Sequence, residues 1–376
     1  MAAEAVESAG WLAPGGAWLV VGALAAAGLF NALYAGKRYA TDGEGTAATE
    51  LISGALEKKR VKGEWKEYDA FFTQNGTGDG VPAASDKSKA PGFVDKFYNL
   101  VTDIYEWGWG ESFHFSPALP GRKSDAEATR AHEAALARAC GLREGRTALD
   151  AGCGVGGPMR NIARATGGKV TGLTINEYQV QRCEAHNRRS GLEGRVSVVQ
   201  GNFLSMPFED ASFDCAYSIE ATCHAPNLES VYGEIHRVLK PGGLYATYEW
   251  LTTDLYDKSD PRHVRIIDSI CHGNALPDLR TLGDALAAAK AVGFEVVEEA
   301  DAALPPALPW YRRLNISAWE YRLNGLVVRA LTAIGVAPQG TAEVHKMLVE
   351  VARDLAEAGE LGIFTPMHRI VLRKRA

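Results

Sequence analysis

A chain of 376 residues that is 46% hydrophobic can bury a sizeable core, as one large domain with additions or as two modest ones. Its net charge of −6 and pI ≈ 5.9 remove any electrostatic case for nucleic-acid binding. The six cysteines are scattered without a CxxC pair, which suggests neither a zinc site nor a disulfide framework and points to reduced thiols in a cytosol-facing domain.

From Ser8 to Gly36 there is no charged residue, and Trp11, Trp18, Leu19, Val20, Leu24, Leu29, Phe30 and Leu33 supply apolar mass. About 28 residues at helical rise exceed a hydrocarbon core of roughly 30 Å, so a tilted span is expected over residues 1–38. Glu4 and Glu7 precede it where a cleaved signal peptide would carry basic residues, and Lys37 and Arg38 follow it. The stretch therefore reads as a transmembrane signal anchor that leaves the bulk of the chain in the cytosol, with the endoplasmic reticulum membrane as the expected location. The alternative is a buried or interfacial helix. Residues 39–92, rich in glycine around Asn75–Gly80 and in serine and lysine before Pro91, read as a linker with at most one helix near Thr49–Phe72.

Phe93–Tyr105 carries apolar residues at helical spacing. Five of the eleven residues from 105 to 115 are aromatic (Tyr105, Trp107, Trp109, Phe113 and Phe115), interleaved with Glu106, Glu111 and His114. Aromatic faces attract cations, more so in a dry site, and carboxylates between them stabilise charge or accept a proton. The other reading is an aromatic lid packed on the core with solvated acids between.

Thr147–Ala151 is a short apolar run ending in an acid, Asp150, and is followed by Gly152, Gly154, Gly156 and Gly157 and then by a helical stretch from Met159. A strand, a glycine turn and a helix let a ligand approach backbone N–H groups at the helix N-terminus. The dinucleotide fingerprint looks for an acid some twenty residues on, and Thr174 stands near that place, with Asn176 and Gln179 beside it. The loop resembles the nucleotide loop of S-adenosylmethionine (SAM) methyltransferases. Lys169–Thr174, Val196–Gln200, Phe213–Ile219, Leu244–Trp250, Phe294–Val297 and His368–Arg373 are the further strands, the last expected to be antiparallel. Alternation with helices predicts an α/β, doubly wound, seven-stranded Rossmann-like sheet with ligands above the strand C-termini.

Gly201, Asn202 and Phe203 close the third strand, where they could flank an adenine. Glu220 and His224 stand on one short turn after the fourth strand and could share acid–base work; otherwise Glu220 binds backbone amides and His224 closes the core. Glu249 ends the fifth strand between Tyr248 and Trp250.

Four ordered motifs resemble the sterol C24-methyltransferases: Tyr105–Ser116, Leu149–Pro158, Ile219–Pro226 and Tyr248–Trp250, with Pro309–Trp310 and Ile363–His368 similar to that family's C-terminal domain. The N-terminal span, Ala275–Pro277 and Val336–Pro338 look more like the plant and algal second-methylation type. The resemblance implies a methyltransferase domain over residues 93–300 and a C-terminal sterol-methyltransferase cap over 301–376. It also implies SAM as methyl donor and a sterol as acceptor, methylated at its C24 alkene through a side-chain carbocation, a hydride shift and a deprotonation.

On that reading Asp150, Gly152, Gly154, Gly156, Thr174, Asn176, Gln179, Asn202 and Phe203 hold the donor. Trp107, Trp109, Phe113, His114, Phe115 and Glu249 hold the acceptor, and Glu220, His224, Tyr105 and Glu106 carry the chemistry. The chain departs from the family where Cys271 and Asn274 replace expected acids, which leaves Asp278 as the nearest carboxylate. That departure also resembles methyltransferases of acyclic, squalene-like triterpenes, the alternative acceptor class; a catalytically idle sterol-binding protein is a third reading. Apolar helical stretches over Ile316–Ile334 and Val344–Leu355 could roof a lipid pocket, serve a homo-oligomer or lie on a bilayer through Trp310 and Arg312.

Overall fold

Short apolar runs form the strands of one mixed sheet in the computed structural model, which describes residues 56–57, 59–73, 87–118, 124–314, 318–335 and 337–376. The strands are β1 (Thr147–Ala151), β2 (Lys169–Thr174), β3 (Val196–Gln200), β4 (Phe213–Ile219), β5 (Leu239–Thr252), β6 (Arg280–Thr281), β7 (Phe294–Asp301) and β8 (Phe364–Lys374). Their order is β3-β2-β1-β4-β5-β8-β7, with β6 paired to the far end of β5. The first five run parallel, and β8 lies antiparallel between β5 and β7. The seven-stranded sheet is therefore present, with the two-residue β6 as an addition. The stretch Lys240–Gly243 forms an irregularity inside β5, where Phe213 pairs with Leu239 but Cys215 with Leu244.

Ten helices are described: α1 (Val61–Thr73), α2 (Ala90–Trp109), α3 (Asp125–Ala139), α4 (Gly157–Thr166), α5 (Glu177–Arg189), α6 (Leu228–Val238), α7 (Pro261–Gly273), α8 (Leu282–Ala291), α9 (Ala318–Ala333) and α10 (Thr341–Leu361). Alternation along the strands divides the core between the two sheet faces. Cys215, Tyr217 and Ile219 of β4 join a cluster with Leu136 of α3, Met159 of α4 and Ile266 of α7. Ala216 joins the opposite cluster with Val231 of α6 and Ala285 of α8. Side-chain caps define several helix starts: Asn176 Oδ1 accepts from the Gln179 N–H at α5, and Thr281 and Asp284 form a capping box at α8.

The expected span over residues 8–36 lies outside the described residues, and among the described residues no helix is long and apolar enough to cross a membrane. Of residues 39–92, read as a linker with at most one helix near Thr49–Phe72, the described parts do hold a helix at that place, but it packs into the core instead of standing free. Helix α1 buries Tyr68 and Phe72 completely, against Phe93 and Phe97 of α2 and Val344 and Met347 of α10. Trp65, Tyr68 and Phe72 recur at helical spacing, and the glycine-rich sequence downstream obscures that period. Replacing Phe72 with alanine is expected to destabilise the protein by about 3–5 kcal/mol, measured by denaturant unfolding. A loss below about 1 kcal/mol would show α1 to be only a tether.

Candidate functional site

The glycine turn after β1 is locked to its neighbour strand, because the N–H groups of Gly152 and Cys153 both donate to the Leu173 carbonyl, at 2.9 and 3.0 Å. Gly152 has φ +93, and a side chain there would stand 2.4 Å from the Ala221 Cβ. Glycine thus lets the tip of β4 close on the turn. At Gly157, the first residue of α4, a Cβ would lie 2.2 Å from the Glu111 carbonyl. The 110–116 segment therefore crosses directly over the start of that helix.

A cavity of about 820 Å³, including its open mouth, lies above the C-terminal ends of β1, β2 and β4, where the strand order reverses direction. Pro91, Val94 and Tyr98 of α2 form one wall, and Glu111, Phe113 and His114 a second. The glycine turn, Thr174, Gln179 and the Gly201–Leu204 turn form one end, and Glu220, Ala221 and His224 complete the chamber.

Of the residues read as donor-binding, Gly152, Gly154, Thr174, Gln179, Asn202 and Phe203 line this cavity, whereas Asp150, Gly156 and Asn176 do not. Thr174 Oγ1 donates to Gln179 Oε1 at 2.7 Å, a neutral pair suited to hydroxyl groups. Gly156 precedes α4 in the left-handed region and starts the helix. Asn176 ties helices together: its Nδ2 donates to Asp95 Oδ1 and Asn99 Oδ1, each at 2.8 Å. Asp150 is buried beneath the turn beside Tyr217, and among the described residues its Oδ2 has no hydrogen-bond partner. Burial pushes its pKa up to about 7, against the pull of the Tyr217 hydroxyl, whose geometry falls short of a proper hydrogen bond.

The five-ring cage is also corrected. Of the rings whose side chains are described, Phe113 lines the cavity, while Tyr105, Trp109 and Phe115 do not. The Trp107 side chain lies outside what is described. Tyr105 shares a helical face with Tyr98 but sits seven residues on, roughly 10 Å further along α2. There its ring meets Phe113 edge-on at 5.5 Å and supports it from behind. Phe115 packs against Trp109, Trp250 and Trp310, and the Arg313 guanidinium covers Trp109 at 4.8 Å.

Glu106 does not reach the chamber either. It accepts from Arg182 at 2.7 and 3.0 Å and from His186 at 2.7 Å; burial works to raise its pKa, but those partners outweigh it and the carboxylate stays ionised. Glu249 is likewise buried off the cavity, accepting from Thr222, Thr247 and Tyr232 at 2.5, 3.0 and 2.9 Å. Asn274 closes α7 by donating to the Ile270 carbonyl, and Asp278 pairs with Lys87 at 2.7 Å, about half exposed. Neither of them lines the chamber.

His114 does line it, and both of its ring nitrogens face acceptors: Nδ1 the Phe115 carbonyl at 2.6 Å, Nε2 the Glu133 carboxylate at 3.0 Å. Both must donate, so the ring is an imidazolium. Burial would lower its pKa, but the bond to Glu133 and that group's charge raise it. Glu133, fully buried, also accepts from Ser112 and Asn161.

Glu220 sits at the end of β4 with φ +54, a left-handed conformation held by its surroundings. Its Oε1 accepts from the Phe115 N–H and its Oε2 from the Trp250 indole N–H, both at 2.8 Å. Burial drives its pKa up to about 8, against the His114 charge and these two donors. His224 Nδ1 faces the Ala275 carbonyl at 3.1 Å and Nε2 the Tyr98 hydroxyl at 2.9 Å. Because a carbonyl can only accept, the proton sits on Nδ1, and Nε2 accepts from Tyr98. Burial lowers the His224 pKa to about 4, so the ring is neutral. Arg280 pins this turn by donating to the carbonyls of Ala225 at 2.9 Å and Pro226 at 2.7 Å.

Sequence reasoning missed Tyr98 and Glu133. The spacing Pro91–Val94–Tyr98 is a helix-face signal for the first, but Val94, Phe97 and Tyr98 all pack into one core cluster, so the cavity-facing side does not stand out in the pattern. For Glu133 we find no local signal.

Residues 149–247 match the family described as Methyltransferase domain, and residues 311–375 match Sterol methyltransferase C-terminal. The chain is 56% identical over 335 residues to 24-methylenesterol C-methyltransferase 2 of Oryza sativa subsp. japonica, covering 89% of this chain and 92% of that one. Squalene methyltransferase 1 of Botryococcus braunii is 43% identical, with 86% of each chain covered. Cycloartenol-C-24-methyltransferase 1 of Oryza sativa subsp. japonica is 42% identical, covering 86% of this chain and 95% of that one. Among solved structures, the cyclopropane synthase MmaA2 from Mycobacterium tuberculosis shares the fold, with a TM-score of 0.57 at 19% identity over 79% of this chain and 100% of that one.

The raised pKa of Glu220 has a consequence for stability. The folded state favours the protonated acid, so the group's contribution is fully present below the ordinary value of 4.5 and is lost as pH rises through about 8. Relative to the parent, Glu220→Gln is expected to gain on the order of 3–5 kcal/mol in unfolding free energy between those limits, read by urea denaturation at several pH values. A difference that does not vary with pH would mean the carboxylate is ionised throughout.

Proposed function

This chain belongs to the sterol C24-methyltransferase family, and we propose that its acceptor is a sterol whose side chain already carries a methylene group at C24. The donor is S-adenosylmethionine and the reaction is methyl transfer to the C24 alkene of the sterol side chain. The preference for a 24-methylene acceptor is supported by the 56% identity to a 24-methylenesterol enzyme, against 42% to a cycloartenol enzyme and 43% to a squalene enzyme.

The residues present fit the donor. A glycine turn opens into the cavity, Thr174, Gln179 and Asn202 offer neutral groups for ribose hydroxyls, and the Phe203 ring stands at the same end. When bound, S-adenosylmethionine supplies an electrophilic methyl group on a sulfonium.

An alkene is a weak nucleophile, so the chain's part is alignment of the acceptor with the donor. With a methylene already on C24, the new bond forms at the exocyclic carbon and positive charge falls on C24, followed by hydride shift or proton loss. Phe113, backed by Tyr105, presents a ring toward that charge. The His114 imidazolium does not oppose it strongly, because Glu133 neutralises it at 3.0 Å. The observation that carries the reading is that the glycine turn, Phe113 and Glu220 border one chamber.

The uncharged stretch Ser8–Gly36, followed by Lys37 and Arg38, supports an anchor in the endoplasmic reticulum membrane with the catalytic body on the cytosolic side, where a membrane-dissolved acceptor is at hand.

Labelled S-adenosylmethionine offered with a 24-methylene sterol, a 24(25)-alkene sterol and squalene tests the acceptor. The 24-methylene sterol is expected to show kcat/KM at least roughly tenfold above the other two. Preference for squalene would reverse the acceptor class. Phe113→Leu is expected to lower kcat roughly tenfold to thirtyfold, as a dry cation–π contact of about 2 kcal/mol implies, while S-adenosylhomocysteine affinity changes less than about threefold. Equal loss of both would make Phe113 a structural residue.

A further inference from the structure

The reaction proposed above ends when a proton leaves the carbon next to the cationic centre, and the chamber must hold its acceptor. Neither carboxyl group read as a candidate is a free base. Glu106 is paired with Arg182 and His186 outside the cavity; Glu220 lines it, but burial pushes its pKa up to about 8, so at neutral pH it is largely protonated while its oxygens accept from the N–H groups of Phe115 and Trp250. Glu111 lines the cavity but is paired with Arg160 at 2.5 Å and with His186 at 3.1 Å. His114 carries a proton on each nitrogen and has no lone pair to offer.

Tyr98 and His224 remain. Both line the chamber, they are joined at 2.9 Å, and the direction of that bond is fixed by the Ala275 carbonyl on the far side of the imidazole. The Tyr98 hydroxyl points its hydrogen at Nε2, which leaves the oxygen lone pairs for the chamber.

We infer that Tyr98 is the group that accepts the terminal proton, with His224 as the relay behind it. The inference rests on the sterol-methylation reading. The C–H bond beside the cationic carbon breaks, and its electron pair becomes the π bond of the product alkene. That proton goes to the Tyr98 oxygen, while the proton Tyr98 held passes to His224 Nε2. The imidazole becomes an imidazolium, steadied by its Nδ1–H bond to Ala275. Tyr98 stays neutral throughout, so the buried site never has to hold a phenolate. A weak base suffices because an alkyl cation is a far stronger acid than any side chain. Burial, which keeps the His224 pKa near 4, makes the imidazolium short-lived at neutral pH: it passes the surplus proton to water and the pair resets.

The test uses the full-length protein and its products. Tyr98→Phe keeps the ring and removes the hydroxyl. His224→Gln keeps an acceptor for the Tyr98 hydroxyl but cannot take up a proton. Both are compared with the parent for S-adenosylhomocysteine affinity by calorimetry, for methyl transfer and for the sterol products formed from a 24-methylene acceptor.

If the relay operates, affinity stays within about threefold. Turnover falls roughly a hundredfold, the usual scale for loss of a positioned base. The product spreads from one alkene into isomeric alkenes and an alcohol formed when water captures the cation. Variants that bind S-adenosylhomocysteine and give the parent's single alkene overturn the relay, even if they are slower, since a structural role changes rate and not product. Should Tyr98→Phe fail to bind S-adenosylhomocysteine, His224→Gln decides by the same product criterion. A parent enzyme that methylates no sterol overturns the reaction reading and the relay together, which separates that failure from loss of the relay alone.

Discussion

One buried carboxyl group holds the chamber in shape. Glu220 ends β4 in a left-handed conformation and reaches two otherwise separate parts of the chain, the backbone of the aromatic segment at Phe115 and the indole of Trp250 on β5. Each donor would be left unsatisfied in a dry interior without it, and a lost buried partner costs about 1–3 kcal/mol. The same two bonds fix how far the 110–116 segment descends over the glycine turn, and so the height of the cavity. The strained backbone at Glu220 persists because both bonds and the close approach of Ala221 to Gly152 overdetermine it.

Three charged groups around the chamber are each matched within hydrogen-bond distance. His114 is balanced by Glu133, Glu106 by Arg182 and His186, and Glu111 by Arg160. In a low-dielectric interior an unmatched charge would set a strong field across the place where a cation forms. Matched pairs keep that field small and leave rings and neutral oxygens as the groups that meet the substrate. The aromatic segment then has a double part. Phe113 faces the chamber, while Trp109 and Phe115 join Trp250, Trp310 and Phe364 in a packed cluster that ties the C-terminal region to the sheet.

The C-terminal region is bound into the fold rather than appended to it. β8 lies between β5 and β7, and α10 packs against α7, where Gly273 admits the Val351 side chain. A Cβ at Gly273 would stand 2.5 Å from Val351, so the helices meet at a separation that other residues would not permit. The segments matched by the two families thus share one sheet and one core.

Local pattern alone determines much of this protein. Strand runs, glycine punctuation and alternation with helices specify the doubly wound sheet and the place of its ligand, because period and turn chemistry act over a few residues at a time. The residues at Gly152, Thr174, Asn202 and Glu220 were legible for the same reason: they sit at or just past strand ends, which the fold places above the sheet, and Gln179 lies in the first turn of the helix that follows β2. Which aromatic rings face the substrate was not legible. Tyr105, Trp109 and Phe115 are as aromatic as Phe113, and their direction depends on where α2 passes the cavity and on what Trp250 and Trp310 offer from distant sequence. Nor could the sequence pair Tyr98 with His224, or aim that pair with the Ala275 carbonyl, since those contacts join residues 126 and 51 positions apart. Hydrogen-bond direction is a property of three-dimensional neighbours, and it decided which groups in the chamber are free to take a proton.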